Sequence, residues 1–249
     1  MRALLILALG AILTAPAISK AVSAPPFNPN LRLHYGRGYV VLPARKVAPT
    51  HRKVDTAAIQ VVASLYDPYH TNLVASQWIA GLGCPTNARI ATPTIGSFTD
   101  AACLTGDPRD HRNFGLLLTK TGPTGNYAAG QATLTNVSGL TLTEIGWDLR
   151  SGSHCGGGAP RFDVVTLSDN VDHFIGCNSP PPTIIASSPA WARLRYDVSQ
   201  AFPPITSPVG QIYIIFDEGQ DTGPDYSGQA VIDNIDINGT LIGRGPAHH

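Results

Sequence analysis

Short apolar runs separated by turn-forming residues dominate this chain from about residue 56 onward. Gly and Pro, with 25 and 21 residues, recur between the runs together with clusters of Asn, Asp and Ser. Gly and Pro interrupt helices, and all of these residues favour turns. Such a pattern is typical of a β-sandwich or barrel. It predicts one all-β domain over residues 56–245, a normal size for a sandwich.

Alternation within the runs predicts which side chains face the core. Ile145, Trp147 and Leu149 share one side of a run, and Asp148 lies on the other. A tight turn at residues 168–170 predicts a hairpin. The predicted strands are 58–66, 114–121, 128–137, 141–150, 161–167, 173–178, 191–198, 211–217 and 229–238, with further candidates around Trp78 and at 88–94.

The first 24 residues are organised like an export signal. Arg2 precedes an apolar run at residues 4–13, and small residues end the segment at Ala24. A membrane anchor is the alternative, but a spanning helix needs roughly 20 apolar residues, and no run reaches that length. We expect a signal peptide at 1–24, a basic disordered linker or surface-adhering arm at 25–55, and an extracellular or periplasmic protein with no membrane span.

The four cysteines are Cys84, Cys103, Cys155 and Cys177. An even number in an exported chain predicts disulfides. The sequence has no CxxC motif, so a zinc or redox site has little support. Three pairings are open, of which Cys84–Cys103 with Cys155–Cys177 is the most local.

Charge argues against nucleic acid as a partner. The chain has 17 basic and 17 acidic residues, and its pI is about 7.1. Phosphate binding relies on a net basic surface.

Acidic residues are concentrated near the end of the chain. Six of the 17 lie at residues 217–236, whereas no Lys or Arg lies between Arg195 and Arg244. Carboxylates on a turn-rich loop are the ligands that Ca²⁺ prefers. The predicted metal ligands are Asp217, Asp221, Asp225 and Asp233, and a solvated acidic turn is the alternative.

Asp233 is distinctive because it has the same parity as Val231, Ile235 and Ile237 along the last long strand. A carboxylate on an apolar face needs a partner or a raised pKa. A structural Ca²⁺, an arginine such as Arg161 or Arg195, backbone N–H groups at a bulge, and a different register remain open.

Polar strand faces are the candidates for ligand binding. Trp191, Arg193 and Arg195 share one face of their run, and Arg161 and Asp163 share a face of another. An aromatic ring stacks on sugars while Arg and Asp bind hydroxyl or carboxylate groups. A packing role for Trp191 is the alternative.

Catalysis has less support from the sequence. Glu144 with Asp148 or Asp163 is the one carboxylate pair that fits glycoside hydrolysis, and pairing with arginines explains these acids equally well. No nucleophile elbow or zinc-protease motif is present.

The ending Ala230-Val-Ile-Asp-Asn-Ile-Asp-Ile-Asn-Gly-Thr240 resembles the final strand of carbohydrate-binding-module and galactose-binding-like jelly-roll domains. This resemblance implies a jelly-roll β-sandwich of two antiparallel sheets with long loops. It also implies that Asp233 helps to hold a structural calcium. The stretches around Cys155, Cys177 and Asp217 resemble uncharacterised exported bacterial proteins, a likeness over about residues 110–245 that implies no activity.

Three functions remain open on these grounds. The leading hypothesis is a secreted, non-catalytic domain that binds a glycan or another extracellular polymer. The others are an adhesive or structural protein that acts through protein contacts, and a carbohydrate-active enzyme.

Overall fold

The structure is a computed structural model that describes residues 54–84, 103, 106–124, 128–156, 158–217 and 227–244. All of them belong to the unit Gly38–His249. The predicted signal peptide, nearly all of the predicted linker, the candidate strand at 88–94, and Asp221 and Asp225 lie outside the described residues. Within those residues, no helix has the length and apolar character needed to cross a membrane.

Twelve strands and two short 3-10 helices form the regular structure of the described residues. The helices are Thr56–Ala58 and Val198–Gln200. The strands are β1 (Gln60–Tyr66), β2 (Val74–Ala80), β3 (Phe114–Lys120), β4 (Ala129–Thr135), β5 (Ile145–Arg150), β6 (Arg161–Thr166), β7 (Asp172–Gly176), β8 (Thr183–Ser187), β9 (Trp191–Tyr196), β10 (Val209–Phe216), β11 (Gly228–Ile237) and β12 (Thr240–Ile242).

The strands form two antiparallel sheets. The five-stranded sheet has the order β1-β4-β10-β6-β7, and the seven-stranded sheet has the order β2-β3-β11-β5-β9-β8, with β12 paired to β11. The chain crosses repeatedly between the sheets, which pack face to face. The predicted all-β jelly-roll sandwich is confirmed.

The core lies between the sheets and is built by alternation along the strands. Trp147 from β5 stacks on Phe162 from β6, with ring centroids 4.3 Å apart. Tyr196 contacts Trp147 edge to face at 5.5 Å. These rings are buried with the inward aliphatic side chains of both sheets. Because burial of apolar area is the main favourable term in folding, this layer stabilises the sandwich.

Most predicted strands are present with shifted ends. The run at 141–150 forms a strand only from Ile145, because the Asn238 side-chain oxygen accepts hydrogen bonds from the Thr143 and Glu144 N–H groups. The predicted hairpin between β6 and β7 is confirmed, with Asn170 in the left-handed region at φ 57°. Two strands, β8 and β12, were not predicted.

Both disulfides have the local pairing, Cys84–Cys103 and Cys155–Cys177. Residues of the β2–β3 connection lie against the outer face of the seven-stranded sheet, the side that faces away from the other sheet. There Cys84 and Cys103 form a second buried cluster with Trp191 and Val231. One outer face of the sandwich is therefore partly covered by the chain itself.

Candidate functional site

The outer face of the five-stranded sheet carries a row of side chains in register. Thr133 lies opposite Tyr213, Tyr213 opposite Asp163, and Asp163 opposite Phe174. Val62 of β1 begins the row and is 47% exposed. Residues that lie opposite each other in antiparallel strands point to the same side of the sheet.

Phe202 extends this row beyond β7. The Phe174 N–H donates to the Phe202 carbonyl at 2.8 Å, and the Phe202 N–H donates to the Phe174 carbonyl at 2.9 Å. This reciprocal pair places both side chains on one face. Phe202 is 72% exposed. We name Tyr213, Phe174 and Phe202 the aromatic row. The row runs from β10 across β6 to the edge strand β7 and ends at Phe202 beyond it.

The spacing of the aromatic row follows from the sheet. Adjacent strands lie about 4.8 Å apart, so Tyr213 and Phe174, with β6 between them, are separated by about 10 Å, and Phe202 lies about 5 Å further on. Hydrogen-bonding side chains occupy the neighbouring rows of the same face: Gln60, Thr135, Gln211 and Asp172 on one side, and Ser64, Gln131 and Arg161 on the other.

Arg161 organises the charges of this face. Its Nη1 and Nη2 donate to the two Asp217 carboxylate oxygens at 2.7 and 2.9 Å, and its Nε donates to Asp163 Oδ1 at 2.8 Å. The guanidinium also lies 5.7 Å from the centre of the Phe174 ring. Asp217 is thereby held by an arginine rather than presented on an open acidic loop. Arg161 and Asp163, predicted as ligand-binding residues, lie together beside the aromatic row.

Two further acids of this face have raised pKa values. Burial raises the pKa of Asp163 to about 7, although the Arg161 charge favours the ionised form. Burial also raises the pKa of Asp172 above its ordinary value. Among the described residues, the Asp172 side chain has no hydrogen bond or ion pair. It lies two residues from Phe174 on the same side of β7.

Trp191, Arg193 and Arg195 share one side of β9 as the alternation predicts, but that side is the outer face of the seven-stranded sheet. They therefore lie on the opposite side of the molecule from Arg161 and Asp163. Trp191 has 0% exposure. The prediction of an accessible ring is corrected here, because residues of the β2–β3 connection pack over it.

The two arginines of β9 are held in ion pairs. Arg193 donates to both Asp148 oxygens, at 2.7 and 2.8 Å, and both side chains are buried. Arg195 pairs with Asp236 and, at 3.3 Å, with Glu144. Burial, together with the hydrogen bond to Glu144, raises the pKa of Asp236 to about 7. These contacts are typical of a structural charge network under a covering loop.

Asp233 is held by backbone N–H groups. Cys84 N donates to Oδ2 and Asn234 N donates to Oδ1, both at 2.7 Å. Asp233 shares its side with Val231 as predicted, but that side is the outer face. A register shift between Asp233 and Asp236 then turns Ile235 and Ile237 into the core. Of the four alternatives, the structure has the backbone N–H groups and the bulge, with Asn234 at φ 44°.

A cavity of about 230 Å³ lies beside Asp233 and is lined with Asp107, Asp110, Asn113 and Asn234. Arg109 and the Gly243 N–H bind Asp107, while the Arg112 and Phe114 N–H groups bind Asp110. These acids thus face N–H donors. In the described part of the chain, three His, Cys, Asp or Glu ligand atoms converge within 4.8 Å only at Cys84, Cys103 and Asp148, where the cysteines form a disulfide. A structural calcium at Asp233 stays a prediction.

The carboxylates considered for catalysis are separated. Glu144 and Asp148 belong to the outer face of the seven-stranded sheet, where each pairs with an arginine. Asp163 belongs to the opposite sheet. No cleft between facing carboxylates, the arrangement that glycoside hydrolysis requires, is formed by these three acids.

The sequence did not indicate Phe202, Phe174, Tyr213 or Asp172 as site residues. Phe174 and Tyr213 alternate with buried residues in predicted strands, so alternation could have placed them on an outer face. Phe202 gave no such signal, because it belongs to an irregular segment and joins the row through a single bridge to β7.

No protein-family model matches the chain, and a comparison with curated proteins finds no match. Two solved structures are similar to it. One is the family 11 carbohydrate-binding module of the cellulosomal cellulase Lic26A-Cel5E of Clostridium thermocellum, with 12% identity, a TM-score of 0.37, and coverage of 76% of this chain and 91% of that one. The other is a family 11 module from Clostridium thermocellum in complex with a β-1,3-1,4-mixed-linked tetrasaccharide, with 14% identity, a TM-score of 0.34, and coverage of 73% and 98%. The similarity concerns the fold.

Proposed function

We propose that this chain is an exported, non-catalytic domain that binds a polysaccharide on the outer face of its five-stranded sheet. The aromatic row is the observation that carries the proposal. Phe202, 72% exposed, continues the row of the half-buried rings of Phe174 and Tyr213, and contiguous apolar surface of this kind marks interaction sites. The two disulfides support a protein that works outside the reducing cytosol.

The chemistry of the face suits sugars. Aromatic rings offer flat apolar surface for stacking on the C–H face of a sugar ring, and neighbouring amides and carboxylates fix its orientation through hydroxyl groups. Gln211 accepts a hydrogen bond of 2.6 Å from the Tyr213 hydroxyl, which orients that ring within the row. Rings spaced about 5 to 10 Å apart across one sheet face favour an extended polymer over a small molecule.

A glycan array tests the proposal with the full chain and two variants. The wild-type protein and Ile185→Ala should bind at least one polysaccharide, and Phe202→Ala should bind it weakly. Ile185 is the control because it is a 58% exposed apolar residue on the opposite sheet. Absence of binding to every polysaccharide, combined with self-association on a sizing column, would favour the adhesive alternative instead.

A further inference from the structure

The outer face of the five-stranded sheet carries more negative than positive charge. Its ionisable side chains among the described residues are Arg161, Asp163, Asp172 and Asp217. Because burial raises the pKa of Asp163 to about 7, two carboxylates, Asp172 and Asp217, face one guanidinium below that pH. Arg161 forms its bidentate pair with Asp217. Asp163 shares the same guanidinium through Nε, and Asp172 has no ion pair in the described part of the chain.

Asp172 occupies a defined position relative to the aromatic row. It lies two residues before Phe174 on the same face of edge strand β7, about 7 Å along the strand, and Phe202 lies opposite Phe174. Its carboxylate is partly buried, and burial raises its pKa. The His173 and Arg161 charges favour its ionised form, but neither forms an ion pair with it among the described residues. A partly desolvated carboxylate of this kind gains more from an incoming cation than a fully hydrated one does.

Aromatic rings add to the attraction for a cation. The face of a Phe or Tyr ring attracts ammonium groups, and this attraction is greater where water is excluded. Arg161 lies 5.7 Å from the centre of the Phe174 ring, so this face already places a cation beside an aromatic ring. A uronic-acid polymer would instead bring further carboxylates close to Asp172 and Asp217, which costs free energy through like-charge repulsion.

We propose that the ligand of this face is a polysaccharide with protonated amino groups, and that Asp172 pairs with the sugar ammonium while Phe174 and Phe202 stack on the ring. This proposal rests on the proposed glycan binding at the same face. The charge complementarity distinguishes an amino-sugar polymer from neutral and uronate polymers of similar shape.

Isothermal titration calorimetry of the full chain with three oligosaccharides tests the proposal. The probes are a β-1,4-linked glucosamine oligomer, its fully N-acetylated counterpart and an oligogalacturonate, at a pH where the amine is protonated and Asp172 is ionised. The glucosamine oligomer should bind about tenfold more tightly than the acetylated one, which is about 1.4 kcal/mol. Added salt should weaken the binding of the glucosamine oligomer alone.

Asp172→Asn separates charge from shape. This variant should lose the tenfold preference and leave the affinity for the acetylated oligomer within twofold of the wild type, whereas Phe202→Ala should weaken the binding of both. Equal or tighter binding of the oligogalacturonate, or a glucosamine preference that survives in Asp172→Asn, overturns the amino-sugar proposal while glycan binding stands. Failure of all polysaccharides to bind overturns both proposals.

Discussion

The ion pair between Asp148 and Arg193 shows how much of the polar chemistry of this chain is internal. The Asp148 side chain is 0% exposed and that of Arg193 is 8% exposed. Burial raises the pKa of Asp148, while Arg193 and Asn234 favour its ionised form. Removal of one partner would leave the other charge buried and unpaired. We therefore assign these residues to the stability of the covered sheet face.

Asp148→Ala should destabilise the protein by about 3–5 kcal/mol, because Arg193 would remain buried without a counter-charge. Urea denaturation followed by tryptophan fluorescence measures the loss. The double variant Asp148→Leu with Arg193→Met should recover most of it, since apolar residues need no counter-charge. A single variant as stable as the wild type would contradict the structural role.

Asp163 makes stability depend on pH. Its pKa is raised from 3.8 to about 7 in the folded protein, so the folded state binds this proton more tightly than the unfolded state. Its contribution is fully present below pH 3.8 and is lost as pH rises through about 7. Asp163→Asn stays neutral and still accepts a hydrogen bond from Arg161. The decline in unfolding free energy from pH 4 to pH 8 should thus become shallower by a few kcal/mol.

Asp236 is the internal control for that experiment. Its pKa is also raised to about 7, on the opposite sheet, so part of the decline should persist in Asp163→Asn. A pH profile identical to that of the wild type would show that Asp163 is ionised throughout.

The bulge in β11 sets the geometry of the covered face. It begins at Asp233, and the Cys84 N–H that binds this carboxylate belongs to the residue after Gly83. A Cβ at Gly83 would lie 2.5 Å from the Phe114 carbonyl oxygen and 2.6 Å from Asp233 Oδ2. The chain can approach the strand this closely only because glycine has no side chain.

Calcium stays a prediction that one melting experiment tests. If Asp233 and the neighbouring acids hold Ca²⁺, the melting temperature should rise in calcium and fall in chelator, with magnesium as the control for ionic strength, and an unchanged melting temperature would contradict the prediction. A melting temperature raised by calcium alone would show that the folded state binds the ion. Asp221 and Asp225, which lie outside the described residues, would then be the first ligands to substitute.

Alternation predicted the strands well where one side of a strand is buried in the core. β5, β6 and β9 have their expected inward residues, because burial of apolar side chains is the main favourable term in folding. The strand β8 was not predicted, because its two exposed isoleucines, Ile184 and Ile185, are adjacent rather than alternating. This strand also lies at the edge of its sheet. The position of the bulge in β11 was not predicted, because it depends on a contact with Cys84, 149 residues away in sequence.

The candidate site was harder to predict than the strands. A polar strand face shows in the sequence as alternation, but its solvent exposure depends on whether another segment covers it. Trp191 and Phe174 both alternate with core residues, yet residues around the Cys84–Cys103 disulfide pack over Trp191. How much of each outer face is exposed depends on the whole sandwich, and on the five-stranded sheet Asp163 is itself only 3% exposed.

At the scale of the molecule, the two sheets have different roles. The seven-stranded sheet carries buried ion pairs and a second apolar cluster on its outer face. The five-stranded sheet carries the aromatic row, with Phe202 largely exposed, beside the Arg161 charge network. The first face stabilises the domain, and the second is the face of the proposed glycan binding.

The dissociation constant of the best polysaccharide from the array, measured for the wild type, Phe202→Ala and Phe202→Trp, tests this account most directly. Loss of the ring should weaken binding at least tenfold, about 1.4 kcal/mol, while Trp preserves a stacking surface and should bind within a few fold of the wild type. Unchanged binding by Phe202→Ala, in a protein whose melting temperature is also unchanged, would contradict the account and place the ligand on another surface.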